Sequence, residues 1–341
     1  MTIPVRTPAF LDADNREAIE RYLVARGLVK LSELPVRLSP AGAGNMNLVL
    51  RVTPADGQPF IVKQGRPWVE KYKQIPAPPE RTLVEAAFYN VVKDDPRVAG
   101  RMPNVLDVDQ TNHVLVLEDA GSARDFTSIY ADGAIAASTV GTLLDWLNHL
   151  TGVAVPVEHR AVLANRAMRT LNHEHMFSLP LREENGLDLD AINPGLHDSA
   201  RGLITDRIYT DAVTAAGQRY LSDGGRLVHG DYFPGSWLNA AGGVRVIDPE
   251  FCFLGDPEFD CGILAAHLTI ANCDPAALSM VAISAETRRL DLERVAIYAG
   301  VEIMRRLIGV AQLPIVFGID RKRMLLERSR RLVVEPHKGL A

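Results

Sequence analysis

The spacing of apolar residues changes character along the chain, and the changes mark out the elements before any chemistry is considered. In DADNREAIERYLVAR, residues 12–26, Ile19, Tyr22, Leu23 and Arg26 recur at helical spacing, with Asp12 or Asp14 placed to cap the start and Gly27 to stop it. From residue 34 to 60 the period shortens to that of strands. Short β-rich runs flank AGAGN at 41–45, and PADG at 54–57 supplies a turn before PFIVKQ, so a glycine-rich hairpin followed by a third strand is predicted. After a proline-rich patch at 75–79, ERTLVEAAFYNVV (80–92) returns to helical spacing, and NVLDVD (104–109) and HVLVLED (113–119) predict two more strands.

Beyond residue 121 the pattern is mainly helical, clearest in LLDWLNHLTGV, RAVLANRAMRTLNHEH and DRIYTDAVTAAGQRYL. Short strands are predicted at RLVHG (226–230) and VRVIDPE (244–250), and helices resume at DCGILAAHLTIA and LERVAIYAGVEIMRRLIGVA. The expectation is an α+β chain with a small sheet lobe over 1–120 and a larger, mainly helical lobe over 121–341. A length of 341 residues agrees with two domains of ordinary size.

Composition narrows the function classes. Apolar residues are 47% and charged residues 23%, which is globular, and 42 acidic against 37 basic side chains leave a net charge of −5. No overall positive field gathers nucleic acid or an anionic membrane, so neither is expected as a partner. The locally basic DRKRMLLERSRR (320–331) reads as a solvated helix rather than a nucleic-acid groove. MTIPVRTPAFLDADNRE lacks the basic stretch and apolar core of a signal peptide, and no apolar run reaches about 18 residues, which predicts a cytoplasmic protein. Cys252, Cys261 and Cys273 form no C-x-x-C pair and are expected to be buried free thiols, without a zinc or iron–sulfur site.

Candidate chemistry gathers at a few places. AGAGNMNLVLRV (41–52) is either a plain tight hairpin or a phosphate-covering loop whose missing side chains let backbone amides approach anionic oxygens; Gly42, Gly44 and Asn45 are its candidates. It matches neither the dinucleotide G-x-G-x-x-G pattern nor the G-x-x-x-x-G-K-[ST] loop. Lys63, one strand later, can contact nucleotide phosphates with Glu85 orienting it, or the two can be a peripheral ion pair. In VHGDYFPGSWLN (228–239), Asp231 stands just past a strand, where a carboxylate can orient or accept the proton of an attacking hydroxyl, or merely accept turn hydrogen bonds. His229 suits holding that loop rather than moving protons. VIDPEF presents Asp248 and Glu250 as hard oxygen donors for Mg²⁺, with the NAAGG turn joining the two strands. Tyr232, Phe233, Trp68 and Trp237 can line a pocket or pack internally.

The ordered set of Lys63, Glu85, HGD ending at Asp231 and IDPE beginning at Asp248 resembles the aminoglycoside phosphotransferase-like branch of the protein-kinase-like fold, over roughly residues 30–335. The resemblance implies a two-lobed kinase-like architecture, Asp231 as catalytic aspartate, Asp248 as metal ligand with Glu250 in support, Lys63 with Glu85 as the nucleotide-orienting pair, and ATP with Mg²⁺ as cofactors. Within that branch, GNMNLVLRV, IVKQGRPWV and HGDYFPGS resemble the methylthioribose kinases, which keep a serine, here Ser236, where most related kinases place Asn. EIMRRLIGVAQL (302–313) resembles that family's paired-arginine segment, which implies that Arg305 and Arg306 bind substrate or offset charge on the transferred phosphoryl group. The implied reaction is phosphorylation of the 1-hydroxyl of 5-methylthioribose in methionine salvage, and a homodimer is implied with it. HGDYF in place of H-G-D-L-H, and AQLP in place of A-H-V, leave another sugar, an amino alcohol or an aminoglycoside open as acceptor. A catalytically inactive nucleotide or metabolite sensor is the reading from a different class.

Overall fold

The computed structural model describes residues 9–42, 45–313 and 317–340. Its architecture is α+β and two-lobed, and the chain divides into compact units at Met1–Ala123 and Arg124–Ala341.

The first unit opens with helix α1 (Arg16–Ala25), capped by Asn15, whose Oδ1 accepts from Ala18 N at 3.1 Å. The cap is thus Asn15 rather than the expected Asp12 or Asp14, because Asn15 is the last residue out of helical geometry and its carbonyl accepts from Ile19 N in the first turn. Strands β1 (Arg37–Pro40), β2 (Leu48–Thr53) and β3 (Phe60–Gln64) form the expected hairpin and third strand. A two-stranded ribbon, β4 (Trp68–Val69) and β5 (Tyr72–Pro76), precedes helix α2 (Arg81–Val92) and the short α3 (Pro96–Ala99). The ribbon escaped the periodicity because β4 has only two residues and β5, YKQIP, buries none of its side chains and shows no apolar alternation. Strands β6 (Val105–Asp109) and β7 (Val114–Glu118) complete an antiparallel sheet of order β1-β2-β3-β7-β6. Leu50, Val52, Phe60, Val62 and Val116 point from one face of this sheet into a core with Ile19 and Leu23 of α1. Side chains alternate along a strand, so Lys63, between Val62 and Gln64, lies on the opposite face.

In the second unit, β8 (Arg124–Asp125) leads into α4 (Ile129–Asp132), α5 (Ala137–Leu150), α6 (Val157–Leu163), α7 (Arg166–His173), α8 (Leu189–Ile192), α9 (Leu196–Ile204) and α10 (Arg207–Leu221). Four short strands follow, β9 (Arg226–Val228), β10 (Trp237–Ala240), β11 (Gly243–Val246) and β12 (Phe253–Gly255); β10 pairs with β8 and β11, and β12 with β9. Helices α11 (Glu258–Ala271), α12 (Pro275–Thr287), α13 (Leu292–Ile308) and α14 (Ile319–Val334) close the unit. Thirteen of the 14 residues of α11 are buried, so it is a core helix with no solvent face. It meets α13 closely: a Cβ on Gly262 would stand 2.7 Å from Tyr298 Cβ and 2.9 Å from Val295 O.

Three expectations about this unit need correction. The stretch 160–175 is not one helix, because Asn165 takes a left-handed conformation (φ 44°) and separates α6 from α7. Helix α13 ends at Ile308 rather than at 311, and Gln312 turns back so that its Nε2 donates to Leu307 O and Gly309 O at 2.9 and 2.8 Å. The basic stretch 320–331 is amphipathic rather than simply solvated, burying Lys322, Leu325, Leu326 and Ser329. The three thiols are free and buried, as expected. Among the described residues no helix is long and apolar enough to cross a membrane.

Candidate active site

In the first unit, the alternation that turns Lys63 away from the α1 core delivers its Nζ to Glu85 of α2, 2.7 Å from Oε1. Both side chains are buried, 6% and 0% exposed, so this is no peripheral surface pair. Gly42 lies at φ 88°, the left-handed region that favours glycine, while Gly44 is outside the described residues. Asn45 is exposed and its carbonyl accepts from Lys71 N at 3.0 Å, and Met46 O accepts from Glu70 N at 3.2 Å, so the end of the hairpin leans on the β4–β5 ribbon.

Sequence reasoning missed Arg81, which is fully buried. Its Nε donates to Asn47 Oδ1 (2.7 Å), Nη1 to Arg66 O and Pro78 O (2.7 Å each), and Nη2 to Met46 O (2.6 Å) and Trp68 O (3.2 Å). All five N–H groups of the guanidinium are engaged. A cation in the first turn of a helix opposes the helix dipole, and that misfit was the available signal.

In the second unit, β9 runs straight into the loop that carries Asp231. Asp260, in the first turn of α11 and 1% exposed, accepts from His229 N at 2.7 Å and from Gly230 N at 3.0 Å. Burial pushes the Asp260 carboxyl up, partly offset by these two backbone donors. Gly230 has φ 85°, and a Cβ there would sit 2.0 Å from Phe251 O, so glycine is required for conformation and for space. His229 Nε2 lies 2.9 Å from Ile247 O, and Nδ1 accepts from Asp231 N at 3.3 Å. That pattern fits a neutral ring protonated at Nε2. Ser236 Oγ donates to Asp231 O at 2.9 Å. Tyr232 packs internally, stacked on Trp146 at 5.4 Å and donating to Leu143 O. Asp260 escaped notice because DPEFD reads as an ordinary acidic helix start.

Asp248 and Glu250 stand on the turn after β11. Asp248 is half-buried with φ 63°, an allowed but costly region for a non-glycine residue, and Glu250 is 8% exposed. Asn165, the helix breaker, fixes this turn: its Nδ2 donates to Glu250 O at 3.0 Å and to Cys252 O at 2.9 Å. Among the described residues no three metal-binding side chains cluster. Mg²⁺ is typically held by one or two carboxylates, with waters and substrate phosphates completing its shell, so this pair of oxygen donors on a pinned turn fits it.

Arg305 and Arg306 reach Asp231 itself. Nη2 of each donates to Asp231 Oδ1 at 3.2 Å, and the Arg306 guanidinium lies over the Phe233 ring at 4.7 Å. Behind them Glu302, fully buried, accepts from Arg306 Nε at 2.6 Å. Burial would raise the Glu302 carboxyl, but the two guanidiniums outweigh it and hold it well below the usual range.

The model of the phosphotransferase enzyme family matches residues 37–297. The chain belongs to this family. Among curated proteins, this phosphotransferase-family chain is 28% identical over 271 residues to a methylthioribose kinase of Exiguobacterium sibiricum, covering 75% of this chain and 66% of that one. It is 25% identical over 343 residues to a methylthioribose kinase of Erwinia tasmaniensis, covering 86% and 85% of the two chains. Among solved structures, the choline kinase LicA from Streptococcus pneumoniae superposes with a TM-score of 0.54 at 15% identity, over 94% of this chain and 98% of that one, a likeness of fold.

Of the site residues read from the sequence, the structure brings Asp231, His229, Ser236, Arg305 and Arg306 into one network and Lys63 with Glu85 into another. Glu302, Asp260, Asn165 and Arg81 join this phosphotransferase-family framework from positions that the sequence did not single out.

Proposed function

We propose that the protein is an ATP- and Mg²⁺-dependent small-molecule kinase acting on an alcohol group, and that its acceptor is the 1-hydroxyl of 5-methylthioribose. The observation that carries this reading is the convergence of two guanidinium Nη2 atoms on Asp231 Oδ1. A carboxylate there can orient the acceptor hydroxyl and take its proton, while the adjacent forked cations offset charge on the transferred phosphoryl group. Lys63, held by Glu85, is suited to the nucleotide phosphates. Mg²⁺, held by Asp248 with support from Glu250, would supply charge neutralisation at the phosphates. Methylthioribose is favoured by the sequence likeness to methylthioribose kinases. With that acceptor, the enzyme would serve methionine salvage.

The test is a coupled ADP assay with Mg-ATP and 5-methylthioribose, related pentoses, choline and an aminoglycoside, with Asp231→Asn as control. Acceptor-dependent ADP release, reduced about 10²- to 10⁴-fold in the variant, is expected. Nucleotide binding without turnover across the panel would instead favour a sensor.

A further inference from the structure

The arginine pair is aimed from behind. Residues 302, 305 and 306 are three and four apart on α13 and share one helix face. Glu302 Oε1 accepts from Arg306 Nε (2.6 Å) and Arg305 Nη2 (3.4 Å), and Oε2 makes an ion-pair contact with Arg305 Nε at 2.6 Å. The other guanidinium edges are also held: Arg305 Nη1 donates to Asn172 Oδ1 at 2.9 Å and Arg306 Nη1 to Ala311 O at 3.4 Å, while the face of Arg306 lies over Phe233. What is left facing Asp231 is one Nη2 from each arginine.

Glu302 is itself fixed. His267 of α11, with no exposed surface, places Nε2 3.0 Å from Glu302 Oε1 and Nδ1 2.6 Å from Tyr130 Oη of α4. An ionised carboxylate only accepts, so Nε2–H donates to Glu302, and Nδ1 accepts the Tyr130 hydroxyl proton. The order of donation is then Tyr130 to His267 to Glu302, with Arg306 donating to Glu302 from the other side and to Asp231 in front. The charges of Glu302 and Asp231 balance those of the two arginines, and His267 is neutral.

We propose that Glu302, braced by His267 and Tyr130, is the positioning residue that sets the angle of both guanidiniums toward Asp231. This rests on the kinase reading above and adds to it a group that touches neither substrate nor cofactor. Misaiming transition-state donors by a fraction of an ångström lowers turnover while leaving nucleotide affinity in place.

The experiment compares Glu302→Gln, Glu302→Asp and Tyr130→Phe with the intact chain, measuring kcat, KM for ATP, the unfolding midpoint, and the arginine Nε–H resonances by ¹H–¹⁵N NMR. Glu302→Gln is expected to lower kcat about 100-fold with KM for ATP within about threefold, and to shift the Arg306 Nε–H signal. Glu302→Asp should recover part of the loss, and Tyr130→Phe should lower kcat about threefold to tenfold. Wild-type kcat in a folded Glu302→Gln protein, or an Arg306 Nε–H signal unmoved by it, would overturn the proposal. If Glu302→Gln does not fold, Tyr130→Phe decides, because it removes one hydroxyl and no charge; an unchanged kcat there is equally fatal. If the unaltered chain turns over no acceptor, the kinase reading fails, and the Arg306 Nε–H signal in Glu302→Asp and Tyr130→Phe still shows whether these residues orient the pair.

Discussion

Mild acid should weaken the fold through His267. Burial pushes this imidazole from 6.5 down to about 4, partly opposed by Glu302, with Arg306 and Asp231 acting on it at longer range. Because the folded value is the lower one, the unfolded chain binds the extra proton first. The contribution of His267 is therefore fully present above about pH 6.5 and is lost as pH falls toward 4. The difference corresponds to about 3 kcal/mol, lost at up to about 1.4 kcal/mol per pH unit. Urea unfolding at about pH 7.5, 6.5 and 5.5 for the unaltered chain and for His267→Gln measures it. Glutamine keeps a donor for Glu302 but leaves the Tyr130 hydroxyl without its acceptor, a cost of about 1–3 kcal/mol at every pH. The decisive quantity is the slope, not the offset: the variant should lose less stability than the unaltered chain across this window. His173 and His175 are also pushed down by burial, but they are common to both proteins and cancel in the comparison. Glu302 is held below the carboxylate range and adds its own loss only at lower pH. Parallel curves would refute the reasoning and place the proton elsewhere.

Asp260→Asn keeps the volume but only one acceptor for the two N–H groups of His229 and Gly230; a loss of about 1–3 kcal/mol in urea unfolding and a lower kcat are expected, since the loop bearing Asp231 loses an anchor. Asn165→Ala removes both bonds to the Glu250 and Cys252 carbonyls and leaves alanine at φ 44°; the Mg²⁺ concentration for half-maximal activity should rise about tenfold or more, read from a magnesium titration of turnover.

Much of the sheet and several site residues were legible because their signals are local. Lys63 shows in the alternation of FIVKQ, and Asp231 and Asp248 each follow an apolar run that ends in turn residues. What escaped is carried by bonds between distant residues. Asn165 lies inside an uninterrupted helical pattern, and only its contacts 85 and 87 residues away explain why the helix breaks there. Asp260 acts 30 and 31 residues back along the chain, and Glu302 looked like one more polar residue on a helix until His267 and the arginines closed around it. The glycine hairpin shows the converse limit: the motif was visible, but the bracing of its far end by Arg81 was not.

Helix α2 has a mechanical consequence. Arg81 and Glu85 are four residues apart on its buried side, the first gripping the end of the hairpin through Asn47 and Met46, the second gripping Lys63 on β3. The helix is therefore a lever with two loads on one arm. Any tilt about its axis must carry the hairpin and the ammonium in step, and a force that displaces either is felt by the other without passing through the sheet.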